Sequence, residues 1–193
     1  MDGTGKKVDA EPMPTFHTIG HSNRSFDAFA ALLGEARIGL LIDIRTIPRS
    51  RANPQFNQDV LPDALAAFHI EYERVAALGG LRGRSKEVSP EVNGFWENDS
   101  FHHYADYALS EPFREGLDDL IARGRAQRCA FMCSEAVWWR CHRRIVADYL
   151  LARGATVFHI MGQGRLEPAR LTQGAIIQPD GRIVYPGAAP QRA

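Results

Sequence analysis

The run GLLIDIRTI, residues 39–47, constrains the fold of this chain more than any other segment. Its apolar residues do not alternate with polar ones. A strand built from it meets water on neither face, the situation of a strand inside a parallel sheet. Only Asp43 and Arg45 interrupt the apolar core of the run. Three more segments have the same character: TFHTIG (15–20), RCAFMCSE (128–135) and ATVFHI (155–160).

Between these runs the periodicity changes to that of helices. In HSNRSFDAFAALLGEARI (21–38), Phe26, Phe29, Ala30 and Leu33 recur at helical spacing behind Ser25, a suitable N-cap. DVLPDALAAFHI (59–70) predicts a short helix and EYERV (71–75) a strand. HHYADYALSEPFREGLDDLIARGR (102–125) predicts helix, with Pro112 starting a second segment or kinking the first. Residues 136–153 read as one helix closed by Gly154. PRSRANPQFNQ (48–58) and LGGLRGRSKEVSPEVNG (78–94) are loops, and a loop as long as the second is often functional. AIIQPDGRIVYP (175–186) predicts a hairpin turning on Asp180-Gly181. Strand–helix alternation of this kind predicts a three-layer α/β domain with a mostly parallel sheet. The expected division is a disordered tail over 1–14, the α/β domain over 15–165, and an extension with the hairpin over 166–193.

The 193 residues carry no net charge, so no global field draws in nucleic acid or an anionic membrane. Anion binding must come from local clusters. Only Lys6, Lys7 and Lys86 are lysines, and the other twenty of 23 basic residues are arginines. Arginine holds planar oxyanions in bidentate fashion where lysine cannot. No apolar run is long enough for a membrane span and no export signal is visible. Cys129, Cys133 and Cys141 are odd in number, which points to reduced thiols and a cytoplasmic setting.

Ligands of parallel α/β sheets bind beyond the carboxyl ends of the strands. In this chain those ends carry polar residues without an evident packing use. The first strand leads into His21 and Ser22, and the second ends in Asp43 and Arg45 and leads to Arg49, Ser50 and Arg51. The third apolar run ends in Cys133, Ser134 and Glu135, and the last carries His159. His21 is a natural proton carrier. Ser22 either caps a helix or binds an anion, and Asp43 fits a structural ion pair. Arg45, Arg49 and Ser50 are candidates for anion binding.

The stretch CSEAVWWRCHRR (133–144) is the densest in reactive groups. A cysteine between a strand and a helix start has a lowered pKa, which makes Cys133 a candidate nucleophile; an inert buried thiol is the alternative. Glu135 is a candidate general acid or base. Trp138, Cys141, Ile145 and Tyr149 share one helical stripe, which places Cys141 in the core. His142 and Arg143 are candidates if they point back to the rim. No metal is expected. The seven residues between Cys133 and Cys141 exceed the spacing of common zinc knuckles. On a helix, the adjacent Cys141 and His142 would diverge by about 100°. A looser metal site using His21, His142 or His159 with Glu135 stays open.

Five segments together, TIGHSNRSFDAFAALL, LLIDIRTIPRSR, YERVAALGGLRG, FHHYADY and CSEAVWWRCHRRIVADYLLARGATVFHI, resemble the family catalogued as domain of unknown function 488. The resemblance spans about residues 15–165 and implies a compact α/β domain with no assigned reaction. Its shared polar positions fall on His21, Ser22, Asp43, Arg45, Ser50, Cys133, Glu135, Cys141, His142 and Arg143. The layout is also similar to that of rhodaneses and cysteine phosphatases. Their oxyanion loop is not matched here, because Cys133 to Arg140 contains no glycine and two tryptophans.

Three functions are compatible with these residues. One is an enzyme with a strand-end pocket for a phosphate-bearing, nucleotide or nucleic-acid substrate, using Cys133, Glu135, His142 and His21. Its substrate would be held by Ser22, Arg45, Arg49, Ser50, Arg143 and His159. The others are a nucleic-acid-binding module without catalysis, and a thiol-based sulfur or phosphoryl transferase.

Overall fold

The computed structural model describes residues 12–187. Of the polar tail expected over 1–14, residues 1–11 lie outside that range.

The apolar runs form the middle of a six-stranded sheet. Its strands are β1 (Thr15–Gly20), β2 (Leu40–Asp43), β3 (Glu71–Arg74), β4 (Cys129–Cys133), β5 (Thr156–Gly162) and β6 (Arg165–Pro168), in the spatial order β3-β2-β4-β1-β5-β6. The first five are mutually parallel, and β6 returns antiparallel beside β5. The two most apolar runs, β2 and β4, lie side by side in the interior. Every residue of both is buried.

Because side chains alternate across a strand, each run serves two cores. Leu40, Ile42, Cys129 and Phe131 face one core, packed by α3 (Asp99–Tyr107), α4 (Glu111–Ala126) and α5 (Arg143–Ala152). Leu41, Ala130 and Met132 face the other, packed by α1 (Phe26–Glu35) and α2 (Leu61–Ala66). This is the three-layer α/β architecture expected from the sequence. Ser25 caps α1 by accepting from the Ala28 amide at 3.2 Å. Pro112 stands in the first turn of α4, so the 102–125 segment is two helices. The C-terminal hairpin joins β7 (Ile176–Ile177) to β8 (Ile183–Val184), and Gly181 supplies the positive φ of 82° that its turn requires. No helix among the described residues is long and apolar enough to cross a membrane.

Two expectations are corrected. β6 has no apolar pattern and was not foreseen; Gly164, at φ 65°, turns the chain back into it. The helix expected over 136–153 begins only at Arg143. Residues 134–142 form a loop with a single 3-10 turn, Trp138–Arg140. Trp138 leaves the helical path to stack flat on His159, ring centres 4.5 Å apart, while its indole N–H donates to Glu167 on β6.

Candidate active site

A cavity of about 300 Å³ opens beyond the carboxyl ends of β2 and β4. One wall is the 133–142 loop, with Cys133, Ser134, Glu135, Arg140, Cys141 and His142. Arg45, Thr46 and Ile47 follow β2, Gly80 and Leu81 come from the long loop, and Ser100 and Phe101 from α3.

Backbone contact sets the position of this wall. The His21 amide donates to the Cys133 carbonyl at 3.0 Å, and the Ser22 amide to the Ser134 carbonyl at 2.9 Å. The Arg143 guanidinium is buried. It donates to the Glu135 carbonyl at 2.6 Å and to the Cys141 sulfur at 3.3 Å. Gly20 permits this closeness, since a Cβ there would overlap the Glu135 carbonyl.

Cys133, Cys141 and His142 meet at the cavity, their ligand-type atoms all within 4.8 Å of one another. His142 Nδ1 lies 3.8 Å from the Cys133 sulfur and 3.6 Å from the Cys141 sulfur. The ring is fixed from several sides. Nε2 is 3.2 Å from the Ile44 carbonyl, and Tyr104 meets the ring at an angle, centres 4.9 Å apart. A Cβ on Gly80 would sit 2.8 Å from both Cγ and Cε1, so the backbone of Gly80 lies against the imidazole. Electrostatics divides the two thiols. Burial would raise the Cys141 pKa, but a hydrogen bond from Cys133 and the charge and N–H of Arg143 lower it. The hydrogen bond to Cys141 and burial push Cys133 the other way.

Cys141 is buried, as expected of a core residue, yet it borders the cavity together with Cys133. Cys133 is followed by a loop, so no helix-start amides favour its thiolate. Cys141 precedes the helix, sits beside a buried guanidinium and is the better anion. Neither Cys141 nor His142 lies within α5, so the two side chains are not held apart by helical geometry.

The other candidates are placed differently. Arg45 borders the cavity, but its guanidinium is engaged by Asp43, the Phe56 carbonyl and His21 Nε2. Asp43 is the structural ion pair expected of it. His21 is buried, bonds the Ser22 carbonyl at 2.8 Å and stacks on Phe56. His159 is buried against Trp138 and bonded to Thr18. Ser22 adopts the left-handed region and bonds Asn23; Ser25, not Ser22, caps the helix. Arg49 pairs with Asp59, and the Ser50 hydroxyl accepts from the Asn53 amide. None of His21, His159, Ser22, Arg49 or Ser50 lines the cavity. Thr46 and Leu81 join the cavity without a sequence signal of their own, while Phe101 is one of the aromatics open to a stacking or lid role. The available signal was Leu78-Gly79-Gly80: a Cβ on Gly79 would lie 2.6 Å from the Thr46 hydroxyl, so both glycines mark close approach to the site.

A family model described as domain of unknown function DUF488 matches residues 25–150. The chain belongs to the DUF488 family. No curated protein and no solved structure matches it. The matched span of this DUF488 protein contains β2, β4, the 133–142 wall and all three cluster residues.

Three buried histidines of the protein carry a pH signature. Burial, chiefly, lowers His17, His21 and His159 to about 4; Arg128, Arg45 and Arg143 add to the effect, respectively. A folded-state pKa below the unfolded value of about 6.5 means that the unfolded chain binds protons first as pH falls. Their contribution to stability is therefore intact above pH 6.5 and declines toward pH 4. Urea unfolding at pH 5 should take up close to one proton per histidine. Proton uptake that His159→Gln leaves unchanged would contradict this.

Proposed function

We propose that this DUF488 protein is an enzyme that acts on a small anionic substrate held in the strand-end cavity. One observation carries the reading: Cys133, Cys141 and His142 border the same cavity as Glu135 and Arg140. The cluster supplies the nucleophile, and Glu135 moves the proton. Arg140 is exposed at the cavity wall and offers a positive charge to the substrate's anionic group. Ile47, Leu81 and Phe101 contact its apolar body.

A nucleic-acid module is the weaker reading. Arg49 is paired with Asp59, and Arg82 donates to the Gly79 and Ala77 carbonyls and lies over Tyr107. An oxyanion loop of the rhodanese type is disfavoured too, because the Arg140 and Cys141 amides already donate to Val137 and Trp138.

The test is turnover of chromogenic phosphate, sulfate and carboxylate esters and of nucleotides. Glu135→Gln should lower kcat by about 10²–10⁴-fold, the usual range for a general acid or base, without loss of fold. Arg140→Ala should raise KM with little change in kcat. Wild-type turnover by Glu135→Gln would overturn the proposal.

A further inference from the structure

The cavity cluster has the dimensions of a metal-ligand set. We propose that Cys133, Cys141 and His142 bind one zinc ion through three protein ligands, leaving a fourth coordination position open to the cavity. The inference rests on reading that cavity as the place of reaction.

Bond lengths give the first argument. Zinc–sulfur bonds of about 2.3 Å and zinc–nitrogen bonds of about 2.0–2.1 Å require tetrahedral S···N edges of roughly 3.6 Å. The two S···N separations here are 3.6 and 3.8 Å. The two sulfurs lie within 4.8 Å of each other, and closing onto an ion would bring them to roughly 3.8 Å by side-chain rotation.

The imidazole tautomer gives the second. A carbonyl only accepts, so at the Ile44 contact Nε2 carries the hydrogen. In the neutral ring the lone pair is then on Nδ1, the atom facing both sulfurs. A ligating histidine whose other nitrogen donates to a backbone carbonyl is the usual outer-shell arrangement. A Cβ at Gly80 would meet Nδ1 first, so the glycine spares that atom a close neighbour. Arg143 donates its N–H to the Cys141 sulfur at 3.3 Å, a bond that stabilises a metal-bound thiolate.

Ligand chemistry gives the third. Two thiolates and an imidazole suit zinc better than hard cations such as magnesium or calcium, and three protein ligands with an open position are the mark of a catalytic site. All three ligands line the cavity, and so does Glu135. Glu135 would take a proton from a zinc-bound water, the resulting hydroxide would attack the substrate, and the proton would leave with the departing group. The net reaction is hydrolysis and needs neither oxidant nor reductant.

The experiment is metal binding by the full-length protein, stripped with chelator and titrated with zinc against a chromogenic indicator of micromolar affinity, and separately with cobalt(II). One equivalent of zinc per chain is expected, and cobalt should give thiolate charge-transfer absorption. Cys133→Ser, Cys141→Ser and His142→Ala should each weaken binding by at least the 10–100-fold that loss of an outer-shell partner costs, and Gly80→Ala by about 10-fold. Cys129→Ala, outside the cluster, should bind like wild type, and the circular dichroism of each variant shows whether weakened binding reflects lost ligands or lost fold. No stoichiometric binding, or cobalt absorption that survives both Cys133→Ser and Cys141→Ser, overturns the zinc site. A stripped protein that still turns over substrate, and loses turnover in Glu135→Gln, would overturn the zinc inference and leave the enzyme reading standing with a thiolate nucleophile.

Discussion

Asp43→Ala should destabilise the protein by about 3–5 kcal/mol, the cost of leaving a buried charge without its partner. Asp43 and Arg45 are both buried, and their side chains meet at 2.6 Å where β2 ends at Asp43 and the chain runs on to Arg45. Asp43 also accepts from the Arg45 amide at 2.9 Å and from the Tyr72 hydroxyl at 2.7 Å. Without the carboxylate, three donors lose their acceptor and one is a guanidinium. For a chain of this size the melting midpoint should fall on the order of 10 °C, taking about 2–4 °C per kcal/mol. The double variant Asp43→Leu/Arg45→Met removes both charges and should recover much of the loss, since apolar replacement of a whole buried pair is often near neutral. Urea denaturation of the three proteins checks this. A double variant less stable than Asp43→Ala would show that Arg45 is held by more than its charge partner.

Gly20→Ala should be the most damaging single methyl group in the chain. The new Cβ would overlap the Glu135 carbonyl and lie 3.0 Å from the Arg143 guanidinium. The first obstacle is backbone, so no rotamer change relieves it. The ends of β1 and β4 would have to separate, breaking the His21–Cys133 and Ser22–Ser134 amide bonds. A cost of about 3 kcal/mol is expected, the upper part of the range for overpacked sites. Because Cys133 and Glu135 ride on the displaced segment, any surviving folded protein should also lose turnover. Gly34→Ala is the counterpart. Gly34 lies inside α1 with nothing within 4 Å of the added carbon, so that change should stabilise by about 0.5–1 kcal/mol. Opposite signs for the two substitutions, measured by chemical denaturation, would support the packing at the strand ends. Equal small effects would contradict it.

The contrast between these residues shows what was legible in the chain. Short apolar runs without alternation, bounded by turn residues, suit interior strands, so β2 and β4 and the rim of the sheet could be read from the chain. Polarity at a strand end locates the rim but does not say which way a side chain turns. Arg45, His21 and His159 turn inward, because Asp43, Phe56 and Thr18 offer them partners within the protein. Cys133, Glu135 and His142 border the cavity. The start of α5 was misread because Trp138, Cys141 and Ile145 fit a helical stripe by spacing alone. The stack of Trp138 on His159, 21 residues along the chain, is tertiary and leaves no local trace. The far cavity wall, Leu81 and Phe101, arrives through a long loop and a separate helix. Only the paired glycines beside it hinted at close contact.

The most direct test is alkylation of the chelator-treated protein with iodoacetamide, with the modified cysteines located by peptide mass spectrometry and turnover measured after zinc is added back. Cys133 and Cys141 border the cavity, whereas Cys129 is wholly buried within β4. Label should appear at Cys141 ahead of Cys133 and not at Cys129 in the folded protein, and turnover should be lost in step with it. Full turnover after both Cys133 and Cys141 are modified would contradict a reaction centred on this cluster.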